Sequence, residues 1–457
     1  MSLLRKIFFY LFVCLYLVLC PLTLLYALGY LFKPGGAYGI IKTGLIHLDT
    51  QPEGASIILG KKRSDKKTPA VLDDLIPGNY PVTVSLKNYK SWSRTLSVEP
   101  GKATVLDKIL LLPAEWKPKT LLSGSWTDIF PLEQTHFVIV KKDSLLGNAM
   151  VYDRRRGKSR PLCPRFASLE KARILSFFTV PGSTRIIVTL DASEGHRIVS
   201  IDVREKESQI IELTPFFQEK PENILWDPSE KDILFTLDDH TLVRIDTVSR
   251  TRNPHFLEGI AGYGIFDRTC AVVTQTGFLK QFDLDGNPIS ANEKASAFQK
   301  DDLTSEEWFR IEPLSRNSFL LLGNKGTARI ENSSSPWRSE GIREFKRDSH
   351  IEKTLLWKKG AVGILDNSEL SVSWIAGAAE RIDQAFFLNK GSYLLLKDQE
   401  TLVLVELGPF ANPIPALLFQ VKPKSSIFYD EETGILYYLD RASGNFRAVS
   451  LLPSSSL

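Results

Sequence analysis

The polarity pattern of the chain changes twice. Residues 7–32 carry no charged side chain and include sixteen Leu, Ile, Val or Phe. About 20 such residues cross a hydrocarbon core of roughly 30 Å as a helix. Each favours insertion by about 0.3–0.6 kcal/mol near the bilayer centre, so the run predicts a spanning helix. Lys33-Pro34-Gly35-Gly36-Ala37-Tyr38-Gly39 then interrupts it, and 33–43 reads as a short linker. From residue 44 the period falls to two. Segments 44–50, 56–59, 80–86, 94–98 and 103–106 alternate apolar and polar positions, with turns at Pro77-Gly78-Asn79 and Glu99-Pro100-Gly101. Residues 44–113 therefore predict a small β-sandwich of short antiparallel strands.

Residues 116–452 show no amphipathic helix longer than about three turns. An apolar strand recurs at 136–140, 185–188, 233–237, 270–273, 319–322, 361–365, 393–396 and 435–439. A second strand follows several copies, as at 150–153, 198–202, 242–246 and 278–283. A repeat of roughly 40–45 residues with four short strands per unit predicts propeller blades. Eight blades is the expectation and seven the alternative, because the fourth and seventh units are short. The last unit shows three strands, and Lys119-Thr120-Leu121-Leu122 is the candidate to complete it and leave no open edge. The fold class is thus mainly β: a transmembrane helix, a small sandwich and a β-propeller, with a head at 1–6 and a tail at 453–457.

Two stretches carry resemblances. Gln51-Pro52-Glu53-Gly54-Ala55, Thr68-Pro69, Leu75-Ile76-Pro77-Gly78-Asn79-Tyr80 with Val82 and Val84, and Asn88-Tyr89 occur in the order seen in PEGA domains. The resemblance covers about 44–113 and implies a surface-exposed β-domain of bacteria and archaea, akin to surface-layer modules and without enzymatic activity. It also implies that the bulk of the chain lies outside the cytoplasm. Trp226-Asp227-Pro228-Ser229 and the strand after it resemble a blade opening of TolB-like and WD40-like propellers.

A signal peptide has an apolar core of about 7–15 residues and a small-x-small cleavage site. Here the run is longer, and Tyr26-Ala27-Leu28-Gly29-Tyr30 is a poor cleavage site. Leu17-Val18-Leu19-Cys20 departs from a lipoprotein box at Leu19, and Pro21 follows the cysteine. The expectation is an uncleaved, single-pass signal anchor in the cytoplasmic (inner) membrane, with residues 1–6 inside and the bulk extracytoplasmic. Arg5 and Lys6 against Lys33 and Lys42 leave the positive-inside count nearly tied.

Charge and chemistry narrow the function. With 57 Lys and Arg against 53 Asp and Glu the net charge is +4, which gives no support to nucleic-acid binding. Cys163 and Cys270, outside the apolar run, read as two buried thiols rather than one disulfide, and a disulfide scaffold is excluded. The six histidines are dispersed, and Asp283-Leu284-Asp285-Gly286-Asn287 reads as a tight hairpin rather than a calcium loop. Ser64-Asp65-Lys66-Lys67 and Ser168-Leu169-Glu170-Lys171 lack the companion motifs of serine nucleophiles. No catalytic residue, cofactor or metal ligand is therefore expected. Two basic runs remain: Lys61, Lys62, Arg63, Lys66 and Lys67, and Arg154, Arg155, Arg156, Lys158 and Arg160. Each is either a partner- or lipid-contacting loop or a solvated hairpin tip. The charged stretch 290–307 lengthens one connection and is either a recognition loop or a disordered insertion with no role. The expected role is a membrane-tethered binding or scaffold protein of the bacterial envelope, its propeller face recognising a protein or polysaccharide. The alternatives are a propeller-type hydrolase or lyase with its site assembled in the axial channel, and a purely mechanical component of an envelope complex.

Overall fold

The computed structural model describes residues 3–32, 39–133, 135–141, 145–163, 167–193, 195–204, 209–289, 308–315, 318–331, 337–348, 350–408 and 415–452. The stretch 290–307 and the tail 453–457 lie outside them. The chain forms two units: residues up to Pro118 together with Val449–Leu457, and Lys119–Ala448.

The first unit opens with helix Leu3–Ala27. Its stretch Arg5–Ala27 has a mean hydropathy of 2.5 and none of it is buried; at 1.5 Å per residue it is about 35 Å long, enough to span. The helix stops at Ala27, not at residue 32 as the apolar run suggested. Gly29 adopts φ +80° and its N–H bonds back to the Tyr26 carbonyl at 2.9 Å, a glycine stop that an L side chain would resist. Tyr30–Phe32 then pairs antiparallel with Ile40–Lys42. The expected linker is corrected accordingly: 40–42 is a strand, and 33–38 lie outside the described residues. Thr43 donates both its N–H (2.7 Å) and its hydroxyl (2.9 Å) to the Gly29 carbonyl. The end of the helix is thus bonded to the first residue before the sandwich.

The sandwich has one sheet of Ala70–Leu75, Gly44–Gln51 and Ala103–Leu110, and another of Lys62–Lys67, Ser56–Leu59, Gly78–Ser85 and Trp92–Val98. Ile46, Leu48, Ile57, Val82 and Val84 have no exposed surface, which is what the alternating pattern requires of inward positions. One pairing departs from the antiparallel expectation: Gly44–Gln51 runs parallel to Ala103–Leu110. The Pro52-Glu53-Gly54-Ala55 turn is braced from inside. Buried Thr50 and Thr68 share a 2.6 Å hydroxyl bond, Thr68 Oγ1 accepts from Ala55 N–H at 3.0 Å, and Gly54 N–H donates to the Thr68 carbonyl at 2.7 Å. Tyr80 donates its hydroxyl to the Ile76 carbonyl and closes the next turn.

In the second unit, six separate four-stranded sheets cover residues 128–161, 173–212, 225–258, 342–376, 382–420, and 428–450 with 119–122. A seventh sheet of seven strands joins a three-stranded blade at 260–283 to a four-stranded blade at 308–339. Among the described residues this makes eight blades, a propeller. Lys119–Leu122 pairs with Phe446–Ser450, so an early strand does complete the last blade. The recurring strand is the second of its blade in seven of the eight copies. Ala361–Asp366 is instead the third strand, behind Lys353–Lys358, because that blade's second strand has charged ends that hid its apolar centre. Trp226 is fully buried and donates its indole N–H to Ser183 Oγ at 3.0 Å, and Asp227 accepts from Arg268 N–H at 2.7 Å, so this opening ties three blades together. Cys163 and Cys270 are buried free thiols in different core clusters, and burial pushes each up to about 12.

Candidate functional site

First strands of neighbouring blades approach one another, as Ile260–Phe266 and Trp308–Ser315 do, so they form the inner ring of the propeller. Where the seventh and eighth blades meet, at the N-terminal ends of two such strands, lies a cleft of about 370 Å³. Arg381, Asp383 and Gln384 come from the start of Ile382–Leu388, Lys397 from the end of Tyr393–Asp398, and Lys424 and Ser426 from the turn before Phe428–Asp430. Hydrogen bonds fix this turn. The Asp398 carboxylate accepts from the N–H groups of Glu380 and Arg381 at 3.0 and 3.1 Å. Gln384 Oε1 accepts from Ile427 N–H at 2.8 Å. Asp128, on the first blade, accepts from Ser426 N–H at 2.7 Å and Ile129 N–H at 2.8 Å. Burial raises the Asp128 carboxyl above the usual range against the pull of those bonds and of Lys397.

Lys397 is 1% exposed, and its ammonium lies 3.3 Å from Asp383 Oδ2. A buried cation with one carboxylate partner is costly to strip of that partner, which fixes both ends of the pair. Arg381 and Lys424 are exposed, and neither charged end makes a hydrogen bond or ion pair among the described residues. Three lining cations against Asp383 leave the cleft with a surplus of positive charge. Its volume is at the lower end for small-ligand sites, the size for one sugar or one acidic side chain.

The inner ring also carries charge elsewhere. Arg310 Nη1 bonds Glu344 at 2.6 Å, its other nitrogen lies 3.8 Å from Glu312, and its guanidinium sits 4.3 Å over the Phe345 ring. Burial raises Glu312 despite Arg310 and Arg347. Lys346 packs its amine 3.5 Å from the Phe386 centroid, and burial depresses it to about 7. Each of Asp128, Glu312, Glu344 and Asp383 therefore faces a cation or a backbone N–H. Among the described residues, no group of three or more His, Cys, Asp or Glu is placed to hold a metal ion. The Asp283 carboxylate is taken up by its own turn, accepting from Asp285 and Asn287 N–H at 3.0 and 2.8 Å.

Comparison with known proteins adds one firm point. The family described as the PEGA domain matches the chain over residues 43–111. These residues form a PEGA domain. No curated protein matches the chain. Among solved structures, the computationally designed Ika8 protein is 11% identical, with 73% of this chain and 99% of that one covered at a TM-score of 0.46. The β-propeller domain of Myceliophteria thermophila Cps50 (Swd1) is 11% identical, with 74% and 99% covered at a TM-score of 0.44. These values carry no argument about function, and the propeller rests on its own sheet order.

The basic runs are placed differently from one another. In the PEGA domain, Lys62–Lys67 is not a hairpin tip but the edge strand of its sheet, with Lys61 in the turn before it. Cations along an edge discourage pairing with another chain. Lys66 bonds Asp73 at 3.1 Å and the Val71 carbonyl, and Arg63 reaches Ser56 Oγ at 3.2 Å. In the first blade, Arg154 is 16% exposed and forms an ion pair with Asp430 of the last blade at 2.8 Å. Arg160 donates to the Val203 carbonyl at 2.7 Å and Arg156 stays 3.6 Å from Asp153, while Arg155 and Lys158 are exposed. The two runs lie one in each unit. The cleft residues Arg381, Asp383, Lys397 and Lys424 escaped the sequence reading. The one signal was Lys397 itself, a charge closing the apolar run Tyr393-Leu394-Leu395-Leu396.

Proposed function

We propose that this chain is a membrane-tethered, extracytoplasmic binding or scaffold protein of a bacterial cell envelope, without catalytic activity. Its helix is an uncleaved signal anchor in the cytoplasmic membrane. Its PEGA domain carries the propeller, which presents the cleft between the seventh and eighth blades to a protein or polysaccharide bearing acidic groups. The observation that carries this reading is the cleft's charge: uncommitted Arg381 and Lys424 above the buried Lys397–Asp383 pair. Binding is preferred over catalysis because the inner-ring carboxylates are engaged by cations and N–H groups rather than poised as an acid and base.

The test uses full-length protein in detergent and acidic envelope polysaccharide or extracted envelope protein on a sensor surface. Replacing Arg381 and Lys424 by glutamine is expected to weaken binding at least tenfold, since hydrogen bonds to charged groups contribute about 1.5–3 kcal/mol each. The melting temperature should not move. Unchanged affinity would remove the cleft from the reading, and shortened polysaccharide products after incubation would favour the hydrolase or lyase. A reporter fused after Leu457 that is active only in the cytoplasm would overturn the topology.

A further inference from the structure

The PEGA domain does not hang from its anchor on a free tether. Thr43 is bonded twice to Gly29, two residues beyond the end of the helix, and Gly101 N–H donates to the Thr43 carbonyl at 2.8 Å. Leu45 N–H reaches Lys102 at 3.2 Å, and a Cβ on Gly44 would lie 2.4 Å from the Glu99 carbonyl oxygen. The 99–102 turn is therefore packed against the point where the helix ends. Tyr26, in the last turn of the helix, is an amphipathic ring of the kind that sits at a water–lipid boundary.

Strand register shows what else lies at this end. Gly78 pairs with Val98, so the 76–78 turn is beside the 99–102 turn, and Gly44 pairs with Leu75. Leu59 pairs with Val82, and Gly60 N–H bonds the Pro81 carbonyl, so the turn at Gly60 and Lys61 points the same way. It stops three residues short of Gly78, on the order of 10 Å at 3.3 Å per residue. That is about one Debye length at physiological salt, and a lysine side chain covers much of it. Lys42, Lys61, Lys62 and Lys102 thus crowd the end nearest the helix, against Glu99 and Asp74, while Arg63 reaches back to Ser56. Glu99 is paired with Lys102, and nearby Asp73 with Lys66. Lys87 and Lys90 lie at the other end, beyond Ser85 and on the order of 25 Å away.

We infer that the helix-side end of the PEGA domain, led by Lys61 and Lys62, is a second membrane contact that binds anionic phospholipid headgroups of the leaflet from which the domain emerges. The inference rests on reading the helix as an uncleaved anchor. The helix holds the protein in the bilayer; the basic end holds the domain down against it. Each cation near an anionic surface contributes about 1 kcal/mol, a factor of about five in the population of the apposed state.

The test uses full-length protein reconstituted into vesicles of phosphatidylcholine, with or without about one-third phosphatidylglycerol. A membrane-impermeant amine acetylating reagent is applied and modification is read residue by residue by mass spectrometry. Lys61 and Lys62 are expected to react about fivefold more slowly in anionic vesicles, normalised to Lys87 and Lys90 of the same molecules. Salt at about 0.5 M, where the Debye length falls to a few ångströms, should abolish the difference. Equal normalised rates in the two vesicle types, with the N-terminal peptide present, would overturn the headgroup contact alone. Absence of that peptide would show a cleaved helix and overturn the anchor on which it rests. Neither result bears on polysaccharide binding by the propeller cleft.

Discussion

Two seams of the propeller close by different means. Between the last blade and the first, side chains do the work. Phe137 lies 4.8 Å from the Tyr437 ring and 5.4 Å from Phe446, Tyr152 packs on Phe446, and Trp126 and Phe428 complete the cluster. Strand Lys119–Leu122 and the Arg154–Asp430 pair cross the same seam. Between the fourth and fifth blades the backbones themselves meet, with Gly262 paired in parallel to Trp308. A Cβ on Gly262 would lie 2.0 Å from the Trp308 carbonyl oxygen, and one on Gly264 2.6 Å from that of Ile311. The first seam has many partly redundant contacts and needs volume. The second also packs Trp308, Ile311, Phe319 and Phe266 across it, but adds a backbone contact that only glycine permits.

That contrast sets the order of expected effects. Phe446→Ala removes a fully buried ring from the centre of the aromatic seam. It should cost about 3–5 kcal/mol in chemical denaturation, as large-to-small core changes do. A loss below about 1 kcal/mol would mean that the seam repacks around the missing ring. Gly262→Ala should cost about 1–3 kcal/mol, the range for overpacking, and should raise amide exchange along Ile260–Phe266 and Trp308–Ser315 before the rest of the propeller. If alanine is tolerated without local exchange, the two backbones are not held together at that point.

The smallest expected effect is on pH dependence. Burial alone would raise the Asp227 carboxyl, but bonds from Arg268 N–H and from Ser229 outweigh it and hold the carboxyl below the usual range. Its folded pKa is then lower than its unfolded one, so its stabilisation is present above about pH 4 and lost as pH falls further. Glu312 and Asp128, raised by burial, have the opposite sign: their contribution is present at low pH and lost as pH rises through their folded values. Asp227→Asn should therefore flatten the fall in denaturation midpoint between about pH 5 and pH 3. An unchanged slope would show that this link between blades does not depend on charge.

Legibility followed the range of the interaction. The helix, the PEGA motif, most blade strands and the closing Lys119–Leu122 were readable because each is a local pattern of period, turn residues or motif order. The stop at Gly29 was misplaced because a hydropathy run does not register a left-handed glycine. The edge strand Lys62–Lys67 shows no legible alternation, because every position in it but Ser64 is charged. The cleft was invisible, since Asp128 and Ser426 are 298 positions apart and meet only when the ring closes.

By itself, the sequence determined that an oily helix precedes strands of two kinds, because solvent preference and side-chain period are written residue by residue. Only the tertiary structure decided which charges are spent and which are offered. Arg154 became part of a closing seam, Lys397 was buried beside Asp383, and Arg381 and Lys424 were left facing water. Whether a cation is paired depends on what the fold brings within a few ångströms of it, and that neighbour is seldom near in the chain.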